Sequence, residues 1–485
     1  MRRVHLVLAG VVATVVLVGY LEGRPGLEDV SDEQRDESAG DLSERVHIAY
    51  WEKWRSFEGE AAQAMTDHFN EIQNRIFVHR IPTSEVDRKS MLAVIGGDPP
   101  DVVGLWDRNV SPFADGNALL PLDDLMAESG LTPDYYHANY LELCRYRGKT
   151  YALPTTPATI ALFWNKEHFR RKADQLRAAG LEPDRAPRTI RELDRYAEVL
   201  SEFKPDGTPK VMGFLPTEPG WFNSTWGYFF GGTLYDEATG QITADHPANV
   251  RAYTWLKRFA EAYGREKLLQ FRQGFGTFDS PQNGFIDGRV SMVLQGVWFP
   301  NFIRRHRPHM DFGVAPFPVP EGVGYPRSLM ECDVIAIPRG CKHPREAWEF
   351  ILYTQTGGGM EILCRHQGKH LPFARTPAYF HQGHPNPFLE VFEELAASPH
   401  SFITPRITVW VEYREEMEDA FDHIWSWPVP ADQLEGLTGQ ARQAKIDELC
   451  RGEVQRTLRQ VKRRMQERLD KRRMRDAQRA RRQER

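Results

Sequence analysis

The sequence predicts an α/β protein of more than one domain. Short apolar runs that read as strands alternate with segments of helical periodicity, the pattern of a largely parallel sheet covered by helices. The chain has 485 residues, more than one hydrophobic core ordinarily serves. Hydrophobic residues make up 41 % and charged residues 27 %, the balance of a soluble globular chain.

The elements follow in order. A strand at 46–51 is followed by a helix at 59–72, a strand at 77–81, a short helix at 90–95 and a strand at 101–105. The alternation continues with a strand at 159–164, helices at 189–203 and 248–263, strands at 290–294 and 333–337, and a helix at 344–354. Thr189 and Glu192 are spaced as a capping box. Pro247 suits a first helical turn.

The ends differ from the body. Met1-Arg2-Arg3 precedes an uncharged run from Val4 to Leu21, a basic start and apolar stretch typical of export. As a helix that run would span about 27 Å. No small-x-small cleavage site and no lipidated cysteine follow it. Residues 1–21 are therefore expected to be a membrane anchor, with a removed signal peptide as the alternative. Residues 22–45 are acidic, with Gly and Pro, and read as a flexible tether. Residues 455–485 carry a net charge of +10, which leaves -15 on the rest of a chain whose total is -5. Val454, Leu458, Val461, Met465 and Leu469 recur at helical spacing in this basic tail. It is read as a solvated helix, or as one that docks on anionic headgroups or on the acidic body.

The search for catalytic chemistry is negative. His-Glu-x-x-His, Gly-x-Ser-x-Gly and Cys-x-x-Cys are absent. Gly148-Lys149-Thr150 resembles the end of a phosphate loop, but Leu143 stands where the leading glycine belongs. No catalytic residue, metal or cofactor is expected. The acidic balance and the export signal argue against a nucleic-acid partner. The five cysteines are scattered. Cys332 and Cys341 bracket a strand and are the candidate disulfide pair.

Aromatic residues are abundant where strands end. Trp51-Glu52-Lys53-Trp54 and Trp106-Asp107-Arg108 follow two strands, and Gly296-Val297-Trp298 follows another. Glu218, Trp221 and Trp226 share one loop, and Trp410 lies near Arg406. Ligands of open α/β sheets bind beyond the carboxyl ends of strands. Indole faces beside charged and amide groups suit a polyhydroxylated ligand, by stacking on its apolar face and bonding its vicinal hydroxyls.

The order of motifs resembles the extracellular solute-binding proteins of ABC importers, the family that includes maltose-binding proteins. Asp98-Pro-Pro-Asp101 followed by 116–122, Gly148-Lys-Thr-Tyr-Ala-Leu-Pro154 followed by 162–169, and 285–292 with Gly296-Val-Trp298 are similar to its blocks in sequence order. Residues 311–318, Ala336-Ile-Pro338, Pro344-Arg-Glu-Ala-Trp-Glu-Phe350 and Gly368-Lys-His-Leu-Pro372 complete the set, and the resemblance covers residues 46–430.

The resemblance implies a two-lobed periplasmic-binding-protein fold of type II, with a hinge between lobes. The expected first lobe is 46–155 with 331–372; the second is 156–330 with 373–454; 455–485 is the basic helical tail. A sugar or oligosaccharide would lie in the interlobe cleft and pass to the ABC permease subunits. The protein would be a monomer without enzymatic activity, in the periplasm or on the cell exterior, held to the cytoplasmic membrane by residues 4–21. The implied ligand contacts are Trp54, Trp106, Asp107 and Arg108 from the first lobe and Thr155, Thr156 and Thr159 from a crossover. Glu218, Trp221, Trp226, Gln295 and Trp298 come from the second lobe, Glu331 and Asp333 from another crossover, and Arg406 and Trp410 from a late closing segment. The carboxylate common after the Gly-Lys block is replaced by Pro157-Ala158-Thr159, which leaves the sugar unnamed. Three competing readings stand beside this one. They are a glycosidase using Glu218 and Asp107, a membrane-tethered sensor or scaffold, and the same fold binding a non-sugar solute.

Overall fold

The computed structural model describes residues 44–483 except residue 357. The expected anchor and most of the tether lie outside the described residues. No helix among the described residues is long and apolar enough to cross a membrane.

The chain opens with β1 (Val46–Glu52), α1 (Ser56–Ile72), β2 (Ile76–Pro82), α2 (Val86–Gly96) and β3 (Val102–Trp106). β1 pairs in parallel with both β2 and β3, as the βαβ alternation predicts. The long strand β4 (Leu153–Asn165) follows, then α3 (Ile190–Leu200), β5 (Pro209–Phe214) and α4 (Pro247–Tyr263). Next come β6 (Val290–Gly296), α5 (Phe299–His306), β7 (Phe312–Ala315) and β8 (Met330–Ala336). The helices that follow include α6 (Pro344–Gln355), α7 (Gly358–Gln367), α8 (Trp410–Ser426) and α9 (Gly439–Gln483). Local signals hold where they were strongest. Thr189 Oγ1 accepts from Glu192 N at 3.1 Å at the start of α3, and Pro247 occupies the first turn of α4.

One nine-stranded sheet runs through the molecule in the order β2-β1-β3-β8-β4-β6-β5, ending on a short edge strand at Glu202–Phe203, with β7 on the other side of β4. β4 carries the sheet from one half to the other. Its residues 153–159 pair with β8, and its residues 160–165 pair with β6 and β7. Twelve of its 13 residues are buried, the threonines of its first half included.

Two cores flank this crossover. The first lobe buries Ile48, Tyr50, Val102, Phe350 and Leu363 on one sheet face, and Val103, Leu105, Phe113 and Val334 on the other. The second buries Leu162, Phe163, Phe214, Tyr253, Leu294 and Phe421. Val102 and Val103 fall on opposite faces because successive strand side chains alternate.

Three expectations need correction. Phe373, Phe380 and Leu389 are buried in the first core with Trp348 and Phe350, so the chain leaves that lobe later than residue 372. α9 is one helix across the expected break at 454/455, and Val454, Leu458, Val461, Met465 and Leu469 are buried in the second core. The tail is therefore a packed element, because its apolar stripe covers α4 and α8. All five cysteines are free. Cys332 faces Cys144 inside the first lobe rather than Cys341.

Candidate ligand-binding site

β1 and β3 are parallel neighbours, so their carboxyl ends open on the same side. Glu52-Lys53-Trp54 and Trp106-Asp107-Arg108 leave from there. β8 lies between β3 and β4 and sets Asp333 opposite Trp106. Its register against β4 shifts between Cys332 and Val334. Pro157, paired with Cys332, has no N–H to give the ladder. Such irregularities re-aim a side chain, and here the residue released is Asp333.

Asp333 is the hub of a buried charge cluster. Its Oδ1 is 3.1 Å from Lys53 Nζ. Its Oδ2 accepts from Thr156 Oγ1 at 2.7 Å and lies 3.4 Å from Lys369 Nζ. Burial alone would raise the Asp333 carboxyl, but Lys53 and Lys369 hold it below the usual range. Burial works against charge on Lys53 too, yet Asp333 and Glu52 keep its ammonium favoured. Lys53 Nζ also reaches Glu52 Oε1 and Leu105 O, each at 3.2 Å. Gly104 makes room for this: a Cβ there would stand 1.8 Å from Glu52 Oε2. Lys369 is less completely held. It donates to Thr156 Oγ1 at 3.0 Å and lies 3.9 Å from Glu58, whose carboxyl burial pushes up.

Thr159 serves a neighbouring network. Its hydroxyl is 2.8 Å from Tyr140 OH and 3.0 Å from His370 Nε2. His370 Nδ1 is 3.1 Å from Leu371 O. A carbonyl accepts only, so Nδ1 carries the hydrogen and Nε2 accepts. Burial lowers the His370 pKa to about 3, which keeps the ring neutral. Thr156, Thr159 and Asp333 thus position other groups.

Indole faces line the cleft from both lobes. Lys53 Nζ sits 4.5 Å from the Trp54 ring and 5.3 Å from the Trp106 ring, and the Arg108 guanidinium lies 4.3 Å over Trp106. Lys369 Nζ stands between Trp54 of the first lobe, at 5.8 Å, and Trp298 of the second, at 5.9 Å. Trp298 rests on Gly296, where a Cβ would meet the indole at 2.2 Å. That close approach is the physical reason for the Gly-x-Trp spacing. Trp221 is 6.1 Å from Trp298. Trp298 Nε1, Thr155 Oγ1 and both amide atoms of Gln295 are buried without a protein hydrogen-bond partner, a costly arrangement inside a protein.

The lobes touch on both sides of this cleft. Phe57 of α1 meets Phe302 of α5 edge to face at 5.0 Å. On the other side Arg406 pairs with Glu142 of the first lobe and, at 3.4 Å, with Glu237. Asp107, Arg108, Arg406 and Trp410 line a cavity of about 10 Å³ there. Burial raises the Asp107 carboxyl well above its usual range, and the nearby Glu331 charge adds to this; burial raises Glu331 as well. Farther out, Arg147 Nη2 is 2.6 Å from Asp476 Oδ2 of α9.

Most of the expected residues converge, and two do not. Trp226 is fully buried among Phe229, Trp255 and Phe317. It is a core residue, because its short helix turns the ring inward. Glu218 keeps its carboxylate on Arg272, 3.3 Å away, although its loop also carries Trp221. Lys53, Glu52, Glu58, Lys369, His370 and Tyr140 pack into the same cluster and are not among the expected ligand contacts. Lys53 stood between two named residues, and Lys369 stood inside the Gly368–Pro372 block. Among the described residues no group of three or more His, Cys, Asp or Glu could hold a metal.

An α/β molecule whose two cores share one crossed-over sheet, with a tryptophan from each half beside Lys369, has a periplasmic-binding-protein-like fold. The family can be stated as well. The model of the bacterial extracellular solute-binding proteins matches residues 57–356, and the chain belongs to that family. It is 22 % identical over 313 residues to the maltotriose-binding protein of Pyrococcus abyssi (strain GE5 / Orsay), a match covering 64 % of this chain and 62 % of that protein. It is 24 % identical over 274 residues to the arabinooligosaccharide-binding protein of Bacillus subtilis (strain 168), covering 56 % and 59 %. The chain thus spans about three-fifths of the length of these relatives. Among solved structures, CpMnBP1 with mannobiose bound superposes with a TM-score of 0.69 at 24 % identity, over 84 % of this chain and 100 % of that one. The GacH receptor of Streptomyces glaucescens GLA.O gives 0.63 at 22 % identity, over 84 % and 98 %.

Proposed function

We propose that the chain is the extracytoplasmic receptor of an ABC importer, binding a neutral oligosaccharide in the cleft and handing it to a permease. The observation that carries this reading is the pair of indole faces, Trp54 and Trp298, presented from opposite lobes on either side of Lys369. Flat apolar faces suit a pyranose ring, and Lys369 stands between the two indoles. The charge balance favours a neutral ligand. Lys53 and Lys369 face Glu52, Glu58 and Asp333, and Arg108 lies near Asp107 and Glu331, which burial drives toward their neutral forms. A cationic ligand is disfavoured, because Lys53 and Arg108 already lie over Trp54 and Trp106. The relatives that bind maltotriose and arabinooligosaccharide by name support the same class.

The lobes would swing about β4 and β8. The contacts of Phe57 with Phe302 and of Arg406 with Glu142 would form on closing, and ligand contacts from both lobes would supply the differential affinity closure needs. The location follows the family, outside the cytoplasm, with residues 4–21 as the proposed anchor and the protein acting as a monomer.

The test is thermal unfolding of the full chain against neutral oligosaccharides, polyamines and sugar phosphates. The full chain is required, because cutting at residue 454 would strip Leu458, Val461, Met465 and Leu469 from the second core. A ligand at about 100 times its Kd adds about 2.7 kcal/mol. The expected result is a dose-dependent rise with a neutral oligosaccharide that Trp298→Ala abolishes. A rise with a charged solute alone, retained in Trp298→Ala, would overturn the reading.

A further inference from the structure

The solute cleft leaves the outer face of α9 without a role, and its composition is unusual for an exported acidic body. α9 spans 45 residues, a rod of about 68 Å. Its inward face is consumed by packing, with Val454, Leu458, Val461, Met465 and Leu469 buried against the second lobe. Some of its cations are consumed as well. Arg464 and Arg468 reach Glu416 of α8 at 2.6 and 3.2 Å, and Lys462 reaches Asp245 at 2.9 Å. Glu416 of α8 is thus engaged by the tail through two arginines.

What remains points outward. Arg451, Arg459, Arg463, Lys471 and Arg475 are exposed. Arg459 and Arg463, with Arg456, Gln455, Gln460 and Gly452, border a shallow open depression of about 490 Å³. Two carboxylates lie between residues 454 and 475, Glu467 and Asp470, and Asp470 is engaged by Gln466 and Arg473. The face is thus cationic along several turns, on a body that is otherwise acidic.

We infer that this face of α9 docks on the anionic phosphate headgroups of a lipid bilayer. The packing selects the mode. A free amphipathic helix inserts its apolar side among acyl chains, but here that side is buried in the protein. Only a surface contact between arginines and lipid phosphates is left, and guanidinium groups match phosphate oxygens in two-pronged geometry. The contact is electrostatic and falls off over a Debye length, about 8 Å at physiological salt. The sequence supplies a reason for a bilayer rather than another polyanion. Residues 4–21 read as a membrane segment and 22–45 as a tether, so the body stays within reach of headgroups, and a basic patch is the usual second signal beside one anchor. The inference is independent of which solute the cleft takes.

The test is arginine footprinting by phenylglyoxal on the full chain, read by mass spectrometry. Vesicles of phosphatidylcholine alone are compared with vesicles that also contain phosphatidylglycerol. Modification of Arg459 and Arg463 should slow several-fold on the anionic vesicles alone and recover at high salt. Arg88, which is exposed on the first lobe, should be unchanged. Replacing Arg459 and Arg463 by Gln should preserve the unfolding midpoint and abolish the lipid-dependent protection of Arg451. Equal modification on both vesicles would overturn the inference. So would protection that arises only when a permease or another protein is added, since the face would then belong to an acidic protein partner.

Discussion

Charged groups cluster in two places, on the first-lobe side of the cleft and across the lobes at the rim, and the places behave differently. On the cleft floor, Lys53, Lys369 and Asp333 have side chains only 7, 3 and 10 % exposed. At the rim, Arg147 is 60 % exposed where it meets Asp476. The same kinds of groups meet at similar distances. Buried, each ion has given up its water and depends on its partners; exposed, each can return to solvent at little cost. The floor therefore fixes the shape of the site, and the rim adjusts how readily the lobes meet.

The largest expected effect comes from breaking the floor. Asp333→Ala leaves two buried ammonium groups without their shared carboxylate and should cost about 3–5 kcal/mol, measured by denaturant unfolding of the full chain. A loss under about 1 kcal/mol would show that water reaches the lysines and that the floor is no different from the rim.

The next effect is a pH dependence. His370 is neutral in the folded protein, with a pKa of about 3, whereas the unfolded chain takes up its proton below about 6.5. A depressed histidine contributes stability that is present above pH 6.5 and lost as pH falls toward the folded value. At pH 5 the loss should be about 2 kcal/mol. His370→Gln keeps an acceptor for Thr159 and should flatten this limb. It should flatten it only in part, since burial also lowers His168 and His384 to about 4. An unchanged acid limb in the variant would mean that His370 does not titrate on unfolding.

The smallest effect is at the rim. A double-mutant cycle of Arg147→Ala with Asp476→Ala should give a coupling below about 1 kcal/mol that shrinks with added salt. A coupling above about 2 kcal/mol, insensitive to salt, would erase the distinction between the two regions.

The fold was legible because its signals are local. The short apolar runs at 46–51 and 101–105, the Thr189 cap and Pro247 act within a few residues of themselves. The aromatic clusters at strand ends were legible for the same reason, since each sits where a strand stops. Lys369 and His370 were not, because their function depends on Asp333 and Thr159, which the fold brings from far along the chain. Trp226 misled for the converse reason. Its loop carries site-like composition, but which way a ring points is decided by tertiary packing. The tail was half legible: the spacing of Val454 to Leu469 predicts a helix with an apolar face, but only the packed structure shows that α4 and α8 cover it.

The position of β8 also bears on how the protein is made. The edge of β3 is covered by β8, which the ribosome reaches only after the whole stretch from Trp106 to Met330 has been translated. At about 5–20 residues per second, the first lobe waits on the order of 10–45 s with an unpaired sheet edge. For the receptor proposed to act outside the cytoplasm that delay has a use, because a lobe that cannot finish its sheet early stays threadable until its last strand arrives.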